Sequence, residues 1–167
     1  MILMCREQVN IPIEKPCIFL EGNGGGQTTV TYNAHQDTAD SATFTSSPSN
    51  IVVKGITFEG CIINVTSEGF ITAQGKEFPN DTNGFVFSHC YVTGVKGAKA
   101  YLGRAYGGYS TVIYNDVYLS DVVQPEGWFA WDYMGHKGNI TYVEANCKGP
   151  RANTLSRVKW EKKLTRQ

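Results

Sequence analysis

The triplet Gln36-Asp37-Thr38 sets a carboxylate beside an amide donor. Acyl-transfer chemistry uses such groups to attack a carbonyl and to hold the oxyanion that results. The same letters also suit a polar loop, because Asn, Asp, Ser and Thr crowd residues 33–50. A second cluster is aromatic and cationic. The stretches "AYLGRAYGGYS" at 100–110 and "PEGWFAWDY" at 125–133 supply Arg104, Tyr106, Trp128 and Trp131. Aromatic faces pack on pyranose rings and a guanidinium forks onto carboxylates, so these residues could line a sugar-binding groove. The same aromatics would serve equally well as the filling of a coiled β interior, and the pattern leaves both readings open.

Other strings carry less chemistry. "GNGGG" at 22–26 lacks the Lys-Ser or Lys-Thr of a phosphate cradle and reads as a turn. Ser156 and Lys159 spell S-x-x-K in a basic tail with no partner motif, which is coincidence. His35, His89 and His136 lie far apart with no carboxylate at metal-ligand spacing, so they read as surface or turn residues. No metal and no cofactor is expected.

Composition narrows the setting for this chemistry. The 167 residues favour one domain with a real core. Fifteen basic and fifteen acidic side chains balance, so nothing steers the molecule to nucleic acid or an anionic membrane. No apolar run approaches the ~20 residues of a membrane span. The start "MILMC" is too short for a signal peptide, so no secretion leader is expected. Three sequons, at Asn64, Asn80 and Asn139, lean the other way, toward a secretory origin. Five cysteines without C-x-x-C spacing read as buried apolar thiols rather than a zinc site or disulfide framework.

Internal repetition is the strongest signal for the elements that position these groups. "IVVKGITFEG" from Ile51, "FVFSHCYVTG" from Phe85 and "VIYNDVYLSD" from Val112 share one apolar pattern, with a weaker copy from Thr141. Each unit is rich in β-branched and aromatic residues, bounded by Gly, Asn and Asp, and helical periodicity is nearly absent. Short strands that recur without crossover helices leave an antiparallel sandwich or a parallel β-helix. Like-on-like stacking of equivalent apolar positions favours the β-helix.

From these residues the chain resembles the plant pectin methylesterases, the pectinesterase family. "ITAQGKEFPNDTNGFVFSHC" (71–90) is similar to the family's block after its active site, and 101–133 is similar to its Leu-Gly-Arg-Pro-Trp signature region. "NCKGPRANTLSRVKW" (146–160) resembles its C-terminal coil, and "REQVNIPIEKPCIFLEGNG" (6–24) its early coils. The resemblance implies a right-handed parallel β-helix that acts on galacturonate methyl esters in cell-wall pectin. One family aspartate attacks the ester and a second acts as general acid and base. Glutamines hold the oxyanion, and the signature arginine, Arg104 here, orients the nucleophile. Arg104, Tyr106, Trp128 and Trp131 are then expected to bind substrate. The resemblance also implies a monomer outside the cell, in the plant cell wall, with pectin as partner and a proteinaceous pectinesterase inhibitor as a second.

The departures fall where the chemistry should be. The family carries its aspartates and glutamines on blocks between a coil ending "GITFE" and one beginning "GCIIN", yet here Glu59 runs directly into Gly60. Both family aspartates are missing, and the triplet at Asp37 lies upstream of that seam, in a variable loop. Ala105 and Tyr106 stand where the signature has proline and tryptophan, and Cys5 stands in place of an early tyrosine, two residues before a matching Glu7. The expectation is a shortened β-helix over residues 1–160, with a seam near 59–60 and a solvated basic tail at 161–167. It should lack family catalysis, with binding of pectin or of an inhibitor as the alternative role.

Overall fold

The computed structural model describes residues 3–5, 9–12, 14–15, 17–22, 28–31, 44–46, 52–54, 56–81 and 84–164. Asp37 and its neighbours, His35, and most of the "GNGGG" turn lie outside the described residues.

The chain winds through short strands that fall on three faces. Successive rungs carry β1 (Leu3–Cys5), β2 (Val9–Ile11) and β3 (Phe19–Glu21), then β4 (Thr28–Thr31), β5 (Phe44–Ser46) and β6 (Val52–Lys54). The third rung carries β7 (Thr57–Glu59), β8 (Ile62–Val65), β9 (Gly69–Phe70) and β10 (Ala73–Gln74). The fourth carries β11 (Phe85–Ser88), β12 (Tyr91–Gly94), β13 (Ala100–Tyr101) and β14 (Gly103–Ala105). The last strands are β15 (Thr111–Asn115), β16 (Tyr118–Leu119), β17 (Trp128–Phe129) and β18 (Thr141–Ala145). One face is a six-stranded sheet in the order β1-β4-β7-β11-β15-β18, with every pairing parallel. This is a parallel β-helix, as the repeats imply, and right-handed, as the resemblance implies.

The register corrects one detail of the repeat. Thr57, not Val52, stands opposite Val86, and Val86 stands opposite Ile113, which pairs with Val143. The string from Ile51 therefore holds strands of two different faces, β6 and β7. Both are three-residue runs of strand-forming residues that end in a charged one, and such composition does not say which face a strand occupies.

Corners are set by residues that tolerate left-handed backbone. Gly60, His89, Asp116 and Asn146 follow the strands of the first face with φ of 64°, 54°, 53° and 54°. Gly, Asn, Asp and His are the residue types that reach this region at least cost. Their N–H groups bond along the stack, Gly60 to Ser88 O at 3.0 Å, His89 to Asn115 O at 3.1 Å and Asp116 to Ala145 O at 2.9 Å. Each corner then delivers an apolar residue inward: Cys61, Cys90 and Val117 are buried, and Cys147 is half-buried. Cys17 departs from the expected pattern of buried thiols, because it is exposed.

Inside, like stacks on like. Phe58, Phe87 and Tyr114 form a column with centroids 5.3 and 4.5 Å apart. Each such pair contributes about 0.5–1.5 kcal/mol beyond burial. Tyr114 faces Glu144 in the next strand, and there the column ends on charge. Glu144 receives a fork from Arg157, Nε to Oε1 at 2.6 Å and Nη2 to Oε2 at 3.0 Å, with both side chains 2% exposed. The chain stays packed beyond the expected boundary at 160: Lys162 N–H donates to Tyr142 O, and the Glu161 side chain is 3% exposed. Of the expected tail, residues 165–167 lie outside the described residues.

The ladders are not equally continuous. The first face runs unbroken through β4, β7 and β11. On the other two faces, among the described residues, pairing stops between the second and third rungs: β2-β5 is separate from β8-β12-β16, and β3-β6 from β10-β14-β17.

Candidate functional site

The site grows from β14. Alternation along this strand turns Gly103 and Ala105 inward and Arg104 outward. Only glycine fits at 103, because a Cβ there would meet Thr72 Oγ1 and crowd the ring of Trp128. Thr72 Oγ1 and Tyr114 Oη both donate to Leu102 O, at 3.0 and 3.1 Å, and fix the strand from below. Neighbouring strands set Ala73 and Phe129 level with Arg104 on the outer face. The small Ala73 side chain leaves space there.

Three aromatic rings surround the guanidinium. Its carbon lies 4.4 Å from the centroid of Trp131, 5.0 Å from Phe70 and 5.8 Å from Tyr106. Trp131 and Tyr106 lean on each other at 5.1 Å. Trp131 holds its place with φ of 47°, a costly backbone for a bulky residue. Beside this cage Phe70, Tyr101 and Phe129 form a second ring cluster, with centroids 5.4 to 5.8 Å apart. Tyr106 is 52% exposed and Phe129 41% exposed, so the surface is aromatic and open.

Electrostatically the cage is unfinished. Among the described residues no carboxylate pairs with Arg104, and its Nε is buried without a hydrogen-bond partner. Cation–π contact uses the faces of the guanidinium and leaves its in-plane N–H edges free. A planar guanidinium beside exposed rings has the chemistry to accept a carboxylate carried on a sugar.

The expected site residues separate clearly. Arg104, Tyr106 and Trp131 come together. Trp128 does not join them: it is 1% exposed, with its ring 4.5 Å from Tyr142 and edge-on to Tyr114 at 5.8 Å. Its inward direction follows from pairing with Gly103, whose missing side chain makes the room. Trp128 belongs to the core and offers no face to a sugar. Phe70 was missed, although Phe70, Tyr101 and Phe129 recur at close to the rung spacing, a signal the sequence does contain. Gln74 is 4% exposed, and its Oε1 accepts the N–H groups of Lys76 and Thr111, so its oxygen serves the packing of the rungs. His89 and His136 are exposed as expected. No group of His, Cys, Asp and Glu among the described residues could hold a metal.

The family model described as Pectinesterase matches residues 63–166. The chain belongs to the pectinesterase family. It is 32% identical to the protein named Probable pectinesterase 29 of Arabidopsis thaliana, over 96% of this chain and 71% of that one. It is also 32% identical to Pectinesterase 31 of the same plant, over 64% of this chain and 34% of that one. Among solved structures, the pectin methylesterase from carrot superposes with a TM-score of 0.57 at 20% identity, covering 99% of this chain and 77% of that chain. The enzyme from Aspergillus niger gives 0.54 at 19% identity, covering 89% and 58%. These likenesses speak for the fold. The alignment with pectinesterase 29 runs over 240 positions yet takes in only 96% of 167 residues, so about 80 positions have no counterpart here.

Proposed function

We propose that this chain is a non-hydrolytic pectinesterase-family protein that recognises galacturonan through the Arg104 cage. The observation that carries the reading is the guanidinium itself: caged by Phe70, Tyr106 and Trp131, and paired with no described carboxylate. In the family this arginine orients a nucleophilic carboxylate, which this sequence lacks. A galacturonate carboxylate supplies the same charge and the same two acceptor oxygens, and its ring can lie against Tyr106 or Phe129.

The same reading puts the shortening at Glu59-Gly60. Three observations support that position. The family match begins at residue 63, just past it. About 80 family positions are missing inside an alignment that otherwise takes in nearly the whole chain. Two of the three faces lose their ladder between the rungs that this seam would bring together. The first face keeps its ladder because β7 pairs with β11 and Phe58 stacks on Phe87, a junction that fits well. A solenoid tolerates such excision because each rung is stabilised mainly by its neighbours.

The reading carries the plant cell wall as the working place, and the exposed Asn64, Asn80 and Asn139 are compatible with passage through the secretory route. The test is methanol release from methylated pectin, with an active plant pectinesterase as control. Loss of a nucleophile costs on the order of a millionfold in acyl transfer, so no methanol is expected above background. Turnover that survives repurification would overturn the non-hydrolytic reading and return attention to Asp37.

A further inference from the structure

Tyr91 on β12 and Tyr118 on β16 occupy the same register position of neighbouring rungs, on a face separate from the Arg104 cage. Their rings stack with centroids 4.3 Å apart and planes 3° from parallel. Backbone bonds bracket the pair, Tyr118 N–H to Cys90 O at 2.9 Å and Ser120 N–H to Val92 O at 3.1 Å, so the register is fixed. Tyr91 is 41% exposed and Tyr118 half-buried, which leaves the stack open to small oxidants. Desolvation first, and the adjoining Tyr118 hydroxyl second, hold the Tyr91 phenol above its ordinary pKa.

No other tyrosine among the described residues has this setting. Tyr106 is more exposed but leans on Trp131, and Tyr101 packs with Phe70 and Phe129. Tyr114 and Tyr142 are fully buried.

We infer that Tyr91 and Tyr118 form an oxidative cross-linking site, at which a peroxidase with hydrogen peroxide joins the two rings as a dityrosine. Each phenol gives up one electron and one proton and becomes a neutral phenoxyl radical. The radicals combine through a new carbon–carbon bond between ring positions ortho to the oxygens. Each of those carbons then loses its hydrogen as a proton, and each oxygen regains one, which restores both aromatic rings. Overall two aryl C–H bonds break and one C–C bond forms, and the two hydrogens removed reduce one hydrogen peroxide to two waters. Stacking holds the ortho carbons within reach of one another, so coupling within the pair outruns encounter between molecules. The exposed Tyr91 ring has room to swing from the parallel stack into the twisted biaryl. The product would staple two rungs of the solenoid covalently.

The experiment treats the folded chain with peroxidase and hydrogen peroxide, then cleaves after Lys and Arg. Tyr91 is the sole tyrosine of the peptide 77–96, and Tyr118 lies in the peptide 105–137. The expected product is those two peptides joined, lighter by two hydrogens, with the bond mapped by fragmentation to Tyr91 and Tyr118. It should form in a single chain, with dityrosine fluorescence and no dimer on a denaturing gel. Tyr91→Phe and Tyr118→Phe should each abolish it. Wild-type chain unfolded in guanidinium should also lose it, which keeps the test decisive if a variant folds poorly. Absence of the linked peptide, coupling only between molecules, a bond mapped to Tyr106 or another tyrosine, or equal yield from the unfolded chain would each overturn the inference.

Discussion

Replacing Glu144 with alanine would leave Arg157 buried at the end of the core with its fork empty. In the native chain Nε and Nη2 of Arg157 both donate to Glu144, Nη1 donates to Pro125 O at 2.9 Å, and Nη2 also reaches Arg151 O. The variant keeps only the backbone acceptors, for a charge that is 2% exposed. Breaking a buried pair by removing one partner costs about 3–5 kcal/mol. That is a large share of the ~5–15 kcal/mol that separates a folded domain from its unfolded chain. With an m-value of about 2 kcal/mol/M, the urea midpoint should fall by roughly 1.5–2.5 M at unchanged slope. The assay is urea unfolding followed by circular dichroism. A paired replacement, Glu144→Leu with Arg157→Met, should recover most of the loss, because apolar residues of similar size often replace a buried pair at little cost. A shift below about 1 kcal/mol for Glu144→Ala would refute the placement of this pair as the cap of the column.

Two further outcomes follow from residues placed in the core and at the C-terminal end. Trp128→Ala should destabilise the fold by about 3–5 kcal/mol, measured by thermal unfolding; a variant as stable as the parent but unable to bind galacturonan would return Trp128 to the groove. Glu161 has its carboxyl pKa raised, by burial first and by the nearby Glu144 charge second. A raised carboxyl contributes stability that is complete below its unfolded pKa and lost as pH rises through the folded value. Glu161→Gln should therefore flatten the fall in melting temperature above the ordinary carboxylate range, and an unchanged pH profile would contradict this.

Much of the fold was legible because the corners and strands repeat their chemistry. The left-handed corner draws Gly, His, Asp and Asn in turn, and the column behind β7, β11 and β15 draws Phe, Phe and Tyr. What was not legible required knowing the neighbouring rung. Within "GWF" at 127–129 nothing local says which ring points inward; Gly103, on another rung, decides it for Trp128. The repeat beginning at Ile51 is displaced by one strand for a related reason, since β6 and β7 are similar short strand-forming runs on different faces. Arg104, Tyr106 and Trp131 were found because they sit in one signature stretch. Phe70 was not, because it reaches the cage from the preceding rung.

The most direct measurement of the central claim is calorimetry with de-esterified oligogalacturonides, on the parent chain and on Arg104→Ala and Arg104→Lys. The parent should bind, more weakly as salt rises, because an exposed charge pair is screened over about 8–10 Å at physiological ionic strength. Arg104→Ala should lose the binding. Arg104→Lys should recover only part of it, since an ammonium cannot present the planar two-pronged fork to a carboxylate. Equal heats from parent and Arg104→Ala, or no heat from a parent shown to be folded, would contradict the account.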